Sequence, residues 1–141
     1  MIYRNVGALI RDQKTVSLDS GTSVQEAAEQ MAEHRIGAIP IIDSGKLKGL
    51  FTERDLLNRV VAKRLQPTEI TLGDVMTKNP VTVGADAPLV QSLSLMVENR
   101  FRHLPVVEND EVIGVVSSRD VPADYWVMWE NWVTAQNELN A

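Results

Sequence analysis

The sequence has no cysteine and only two histidines, His34 and His103. Without cysteine there is no disulfide framework, thiolate zinc site, iron–sulfur cluster or thiol nucleophile. Two imidazoles argue against a multi-histidine metal centre, so no metal site is expected. No apolar run approaches the ~20 residues that span a bilayer. Residues 1–6 lack the apolar core and small-residue cleavage site of a secretory signal. Basic residues are in the minority, 14 Lys+Arg against 19 Asp+Glu for a net charge of −5, whereas a nucleic-acid binder needs a basic face. These absences point to a cytoplasmic protein with neither nucleic acid nor membrane as partner. The remainder is ordinary globular composition, 141 residues at 44 % hydrophobic and 23 % charged. A chain of that size buries roughly 68–70 % of its unfolded surface and needs no staple.

The dominant positive feature is an internal repeat. Residues 16–55 align without a gap to residues 81–120 at a constant offset of 65. Identities include Val16/Val81, Met31/Met96, Arg35/Arg100, Pro40/Pro105, Gly49/Gly114, Arg54/Arg119 and Asp55/Asp120. Upstream, Val6-Gly-Ala-Leu-Ile pairs with Leu72-Gly-Asp-Val-Met at offset 66. The chain is a tandem duplication, divided into repeats over 1–66 and 67–123 and a C-terminal aromatic-rich helix over 124–141.

Each copy reads as β-α-β-β-α. A short strand (Thr15–Leu18; Val81–Val83) precedes a helix whose Val24, Ala27, Ala28 and Met31 fall at i, i+3, i+4, i+7. Thr22 and Gln25 suit a capping box, and Pro88 suits the first helical position of the second copy. Two β-branched runs, Ala38–Ile42 and Leu47–Thr52, flank an Asp43-Ser-Gly-Lys turn. A second helix is expected from Glu53 to about Arg64, and a longer counterpart after Ser117. Such a unit is too small to fold well alone, so the expected class is α+β, two units packed sheet to sheet about a pseudo-two-fold axis.

Four features could carry function. Gly49-Leu-Phe-Thr-Glu-Arg-Asp55 recurs as Gly114-Val-Val-Ser-Ser-Arg-Asp120, a strand ending in a hydroxyl residue with an aspartate three positions on. Thr/Ser-x-x-Asp is a helix N-cap, yet a carboxylate's two acceptor oxygens also match a ribose diol. Arg54 and Arg119 lie just inside helix N-termini, where a cation is unfavourable for the dipole; a phosphate or a surface ion pair would account for them. Arg102-His103 enters a buried strand where the first copy has Gly37-Ala38, which is costly unless an anion or water meets it. Tyr125, Trp126, Trp129 and Trp132 read as core or subunit interface, with Trp129 expected to hold a homodimer together. No nucleophile elbow or Gly-rich phosphate loop is present, and the carboxylates are duplicated, which suggests duplicated binding and not an acid–base pair.

These residues resemble a pair of CBS domains, the cystathionine-β-synthase-type regulatory repeats. Leu72-Gly-Asp-Val-Met76, the Leu104-Pro105-Val106-Val107 strand and the two Gly-h-h-Thr/Ser-x-x-Asp ends carry the likeness over about residues 5–121. The resemblance implies two clefts that take adenosyl ligands (AMP, ADP, ATP, in some members S-adenosylmethionine or NAD-type molecules), and dimerisation into a disc. It places Thr52, Asp55, Ser117 and Asp120 on ribose. It places Arg102 and His103 on phosphate, where the helix-end position of Arg54 and Arg119 also suggests a contact, and Val16, Ala38, Pro40, Val81 and Pro105 around adenine. Arginine at 54 and 119 departs from the hydroxyl or small residue common there, and the first copy lacks a basic pair.

The expected function is a stand-alone, non-catalytic regulatory module that binds adenine nucleotide and acts on an unidentified regulated protein; the alternative is a dimerisation scaffold with empty clefts. Phosphate-bearing ligand is expected in a cleft lined by Arg102, His103, Ser117 and Asp120. AMP affinity would rise toward pH 6 if His103 titrates near its ordinary ~6.5.

Overall fold

The structure is a computed structural model and describes residues 5–140. The expectation of a leader-free start therefore rests partly on residues 1–4, outside the described residues. In chain order the elements are α1 (Val6–Leu9), α2 (Val24–His34), β1 (Ala38–Asp43), β2 (Lys46–Thr52) and α3 (Glu53–Asp55), which continues as a π-helix over Leu56–Val61. Then follow α4 (Leu72–Val75), β3 (Thr77–Lys78), β4 (Val83–Gly84), α5 (Leu89–Asn99), β5 (His103–Glu108), β6 (Glu111–Ser117) and α6 (Ala123–Leu139).

Two three-stranded sheets, β1-β2-β3 and β4-β5-β6, realise the duplicated α+β architecture. Each contains an antiparallel hairpin with a register shift at the equivalent place, Ile41/Ile42 and Val106/Val107. Both hairpin turns put two residues at positive φ, Ser44-Gly45 and Asn109-Asp110. That conformation suits the right-handed twist of the flanking strands. The opening strands are shorter than expected. In the first copy only Leu18 bridges to Ile41, and in the second Val83–Gly84 pairs parallel with Val106–Val107.

Helix starts also differ in detail from the sequence expectation. Ser23, not Thr22, caps α2, accepting from the Glu26 amide at 3.1 Å, because the Thr22 hydroxyl is spent on Asp19. Pro88 occupies the matching cap position of α5, one residue before the helix. The helix after Ser117 does not form at once. Ser118–Asp120 is a turn and α6 begins only after Pro122, since the residue before a proline is pushed out of the helical region. The first copy has no proline there and winds on, as a π-helix with the bonds Ala62 N–Leu57 O and Leu65 N–Val60 O at 2.9 and 3.0 Å.

The packing units are not the sequence repeats. Val6 and Ile10 are buried with Val83, Leu93, Leu104 and Val116 of the second copy, while Leu72 and Val75 are buried with Val24, Ile39 and Phe51 of the first. Equivalent backbone bonds fasten each exchange: Val6 N–Ala87 O (2.9 Å) and Gly7 N–Ala85 O (2.7 Å) on one side, Leu72 N–Thr22 O and Gly73 N–Ser20 O (both 2.9 Å) on the other. Beyond α4 the chain adds β3 to the edge of β2. At the matching edge of β6 the Gln13 side chain does the work of a strand. Its amide donates to Val115 O at 2.9 Å and accepts from Val115 N at 2.8 Å. Gly49 and Gly114 permit these approaches, because a Cβ would lie 2.8 Å from Thr77 O in the first case and 2.7 Å from Gln13 Oε1 in the second.

Trp129 is partly buried on the second core, stacks edge-on against Trp126, and donates from its indole N–H to Ser94 Oγ on α5 at 2.9 Å. These contacts seat Trp129 against α5 and Trp126 of its own chain; the large exposed apolar side chains of α6 are Val127, Met128, Trp132 and Leu139. Trp129→Ala is expected to lower stability by about 2–3 kcal/mol, the scale for a buried aromatic plus one hydrogen bond. Urea unfolding with an unchanged midpoint would contradict that placement.

Candidate functional site

Two clefts open where the halves meet. The first, about 700 Å³, is lined by Thr52 and Asp55 at the end of β2, and by Pro80, Val81, Phe101 and Arg102 from the second copy. The second, about 440 Å³, is lined by Ser117 and Asp120 at the end of β6, and by Val16, Ile36, Ala38 and Pro40 from the first copy. Each cleft joins the hydroxyl–carboxylate end of one repeat to the apolar wall of the other, so neither repeat holds a complete site.

This crossing corrects the grouping expected from the sequence. Arg102 does not share a cleft with Ser117 and Asp120; it lines the Thr52–Asp55 cleft, while His103, like Glu53, lines both. The basic dipeptide thus lines the Thr52–Asp55 cleft as a pair, and the Ser117–Asp120 cleft receives only its histidine. Pro105 is buried, in register with Val115, and Pro80 and Val81 supply the apolar wall of the first cleft in its place.

The two carboxylates differ. Asp55 is buried; its Oδ2 accepts from Thr52 N (3.0 Å), and its Oδ1 faces the Thr77 hydroxyl and Arg59 Nε, both at 3.4 Å. Its own amide donates to Thr52 Oγ1 at 3.1 Å, completing a capping box. Asp120 is exposed, and its Oδ2 accepts from Ser117 N at 2.7 Å. The Asp120 amide donates to the Ser117 carbonyl at 3.0 Å instead of to the hydroxyl.

Arg54 and Arg119 each reach across the junction. Arg54 Nη1 donates to the Arg100 carbonyl at 3.4 Å, and Arg119 Nη2 lies 3.9 Å from Glu53 Oε1 as an exposed ion pair. Cationic side chains outnumber anionic ones in both clefts, Arg54, Arg59, Arg100 and Arg102 against Glu53 and Asp55 in the first, Lys14, Arg35 and Arg119 against Glu53 and Asp120 in the second. In a chain of net charge −5, that concentration favours an anion.

Arg35 and Arg100 were not singled out by sequence reasoning as site residues. They end α2 and α5 in the left-handed region, φ 55° and 58°, and each lines one cleft. Non-glycine residues in that conformation cost of order 1–3 kcal/mol and gather at ligand clamps. Their identity in both copies was the available signal.

His103 stands at the divide. A Cβ at Gly37 would lie 3.1 Å from its Nε2 and 3.1 Å from Glu53 Oε1. Burial lowers the imidazole below its ordinary value; Glu53 and Asp120 pull it back up, while Arg119 and Arg102 press it further down. It therefore takes up its proton at a lower pH than an ordinary imidazole, and the rise in AMP affinity toward pH 6 expected of a normal histidine is not what this environment favours. His34 sits on α2 with Nδ1 2.9 Å from Gln30 O, remote in role from either cleft.

The comparisons agree with this geometry. The CBS domain family model matches residues 6–62 and 72–121. Uncharacterized protein YlbB of Bacillus subtilis is 36 % identical over 117 residues, covering 79 % of this chain and 78 % of that one. The CBS domain-containing protein CBSCBSPB2 of Arabidopsis thaliana is 40 % identical over 108 residues, 76 % of this chain but only 20 % of that protein's length. Among solved structures, a Pyrobaculum aerophilum CBS domain protein complexed with AMP superposes with a TM-score of 0.79 at 27 % identity, over 89 % of this chain and 96 % of that one. The CBS domain pair of MJ0100, in complex with 5′-methylthioadenosine and S-adenosyl-L-methionine, has a TM-score of 0.74 at 29 % identity, over 82 % and 90 %. Two matched repeats, closed over one another around paired clefts, place this chain in the CBS domain family as a tandem pair.

Proposed function

We propose that the chain is a non-catalytic regulatory module that binds an adenine nucleotide between its repeats and signals through conformation or assembly. The observation that carries this is the pairing, in both clefts, of a hydroxyl–carboxylate strand end with an apolar wall and surplus cations. A carboxylate suits the ribose diol, the wall a purine, and the arginines a phosphate. The AMP complex of the Pyrobaculum relative and the adenosyl complexes of MJ0100 support the same ligand class. Regulation without chemistry fits carboxylates that recur at equivalent strand ends in both repeats, which suits duplicated binding. A homodimer belongs to the same proposal, supported by the exposed Val127, Met128 and Trp132 on α6.

Thermal-shift and calorimetric titration with AMP is the direct test. AMP at 100 times its dissociation constant is expected to stabilise the fold by about 2.7 kcal/mol. Unchanged melting with AMP, ADP, ATP, 5′-methylthioadenosine and S-adenosylmethionine would favour the empty scaffold.

His103 also sets a pH dependence of stability. Its folded pKa is lowered, so the unfolded chain takes up the proton first as pH falls below ~6.5. Its contribution is fully present above that pH and is lost as pH drops through the lower folded value. A series of urea titrations from pH 8 to 5 should show that decline, shallower in His103→Gln. Parallel profiles for parent and variant would assign the decline to other groups.

A further inference from the structure

The repeats place the same Thr/Ser-x-x-Asp element in both clefts, but the chain beyond it diverges. After Asp55 the backbone continues helically, which brings Arg59 one turn on beneath the carboxylate; it also lies 3.4 and 3.3 Å from the carbonyls of Val75 and Met76. Thr77 on β3 adds its hydroxyl from the other side. After Asp120, Pro122 interrupts the helix, and the residue equivalent to Arg59 is Asp124, of the wrong sign to approach a carboxylate. No strand equivalent to β3 follows there among the described residues, since Gln13 occupies that edge through its side chain.

The two carboxylates therefore differ in the acceptor capacity they have left. An ionised carboxylate offers about four lone-pair sites. Asp55 commits three, to Thr52 N, Thr77 Oγ1 and Arg59 Nε, and a ribose diol needs two. Among the described residues Asp120 commits one, to Ser117 N, so a diol is met without breaking any contact. The Ser117 hydroxyl is likewise spared, because the Asp120 amide uses the Ser117 carbonyl, whereas the Thr52 hydroxyl already accepts from the Asp55 amide. Cleft volume runs the other way, and the roomier cleft is the one whose carboxylate is engaged.

We propose that Arg59, with Thr77, is a specificity-determining latch that withholds Asp55 from ribose, so that a nucleoside ligand occupies the Ser117–Asp120 cleft first and the Thr52–Asp55 cleft only when the latch is released. The proposal rests on the nucleotide-binding function above. It makes the duplicated module bind in two unequal steps, with release of Arg59 also freeing the carbonyls that end α4.

The test is calorimetry of the full chain with AMP and, separately, with 5′-methylthioadenosine, which keeps the diol and lacks phosphate. The parent should bind one molecule per chain in its tight phase, and Asp120→Asn should weaken that phase at least tenfold. Arg59→Leu should add a second molecule per chain; Thr77→Val, which leaves the Arg59 carbonyl contacts in place, should strengthen the second phase even if Arg59→Leu folds poorly. Two equal sites in the parent, a tight phase indifferent to Asp120→Asn, or a stoichiometry and second phase unmoved in both latch variants would overturn the latch. So would an ordering seen with AMP but not with 5′-methylthioadenosine, because phosphate contacts would then set it. A parent that binds neither ligand would instead remove the nucleotide-binding function itself.

Discussion

The reciprocal exchange of short helices holds this molecule together. Each sheet has a core one element short, and the missing element comes from the segment preceding the other repeat. The exchange is fastened by main-chain bonds at equivalent places, with Gly7 and Gly73 admitting the close approach; a Cβ at Gly7 would sit 3.0 Å from the Ala85 carbonyl. A single unit of this size is marginal by surface-to-volume scaling, and without the exchanged segment its core would lose Val6 and Ile10 on one side or Leu72 and Val75 on the other. Exchange makes the halves fold as one, and the clefts exist only because the halves are held in this relation. Every cleft-lining residue on one repeat thus depends on packing contributed by the other.

The pseudo-symmetry breaks at its axis for a steric reason. His103 stands against Gly37, and the space a Cβ would need there is already shared with Glu53. Gly37 is the position equivalent to Arg102, and a side chain there would begin 3.1 Å from the His103 ring, so the basic pair of the second copy is matched by a small residue in the first. Gly37-Ala38 is therefore not a degraded version of Arg102-His103 but its complement. The half-buried imidazole, with Glu53, forms the partition between the clefts and contributes a polar wall to each.

A second break lies in the helices that follow the strand ends. Without a proline the first copy winds into a π-helix, a feature often found at functional positions, and this sets Arg59 under Asp55. With Pro122 the second copy turns instead and leaves Asp120 in solvent. Through its effect on the backbone, this proline gives the two aspartates of a repeated motif different surroundings.

The duplication, the α+β class, the hairpin positions and the identity of both strand-end motifs were legible in the amino-acid sequence, because they depend on local periodicity and on residues repeated at constant spacing. So was the recurrence of a hydroxyl, an arginine and a carboxylate at each strand end. Which residues share a cleft was not legible. That depends on the exchange between halves, which sends Arg102 to the cleft of Asp55 and Val16 to the cleft of Asp120, and no spacing along a chain encodes a crossing in space. The lowered pKa of His103, the pairing of Arg59 with Asp55, the intrachain seat of Trp129 and the strand-like use of Gln13 are likewise tertiary. Each arises from desolvation or from contacts that depend on how the backbone folds, and only the folded packing defines those.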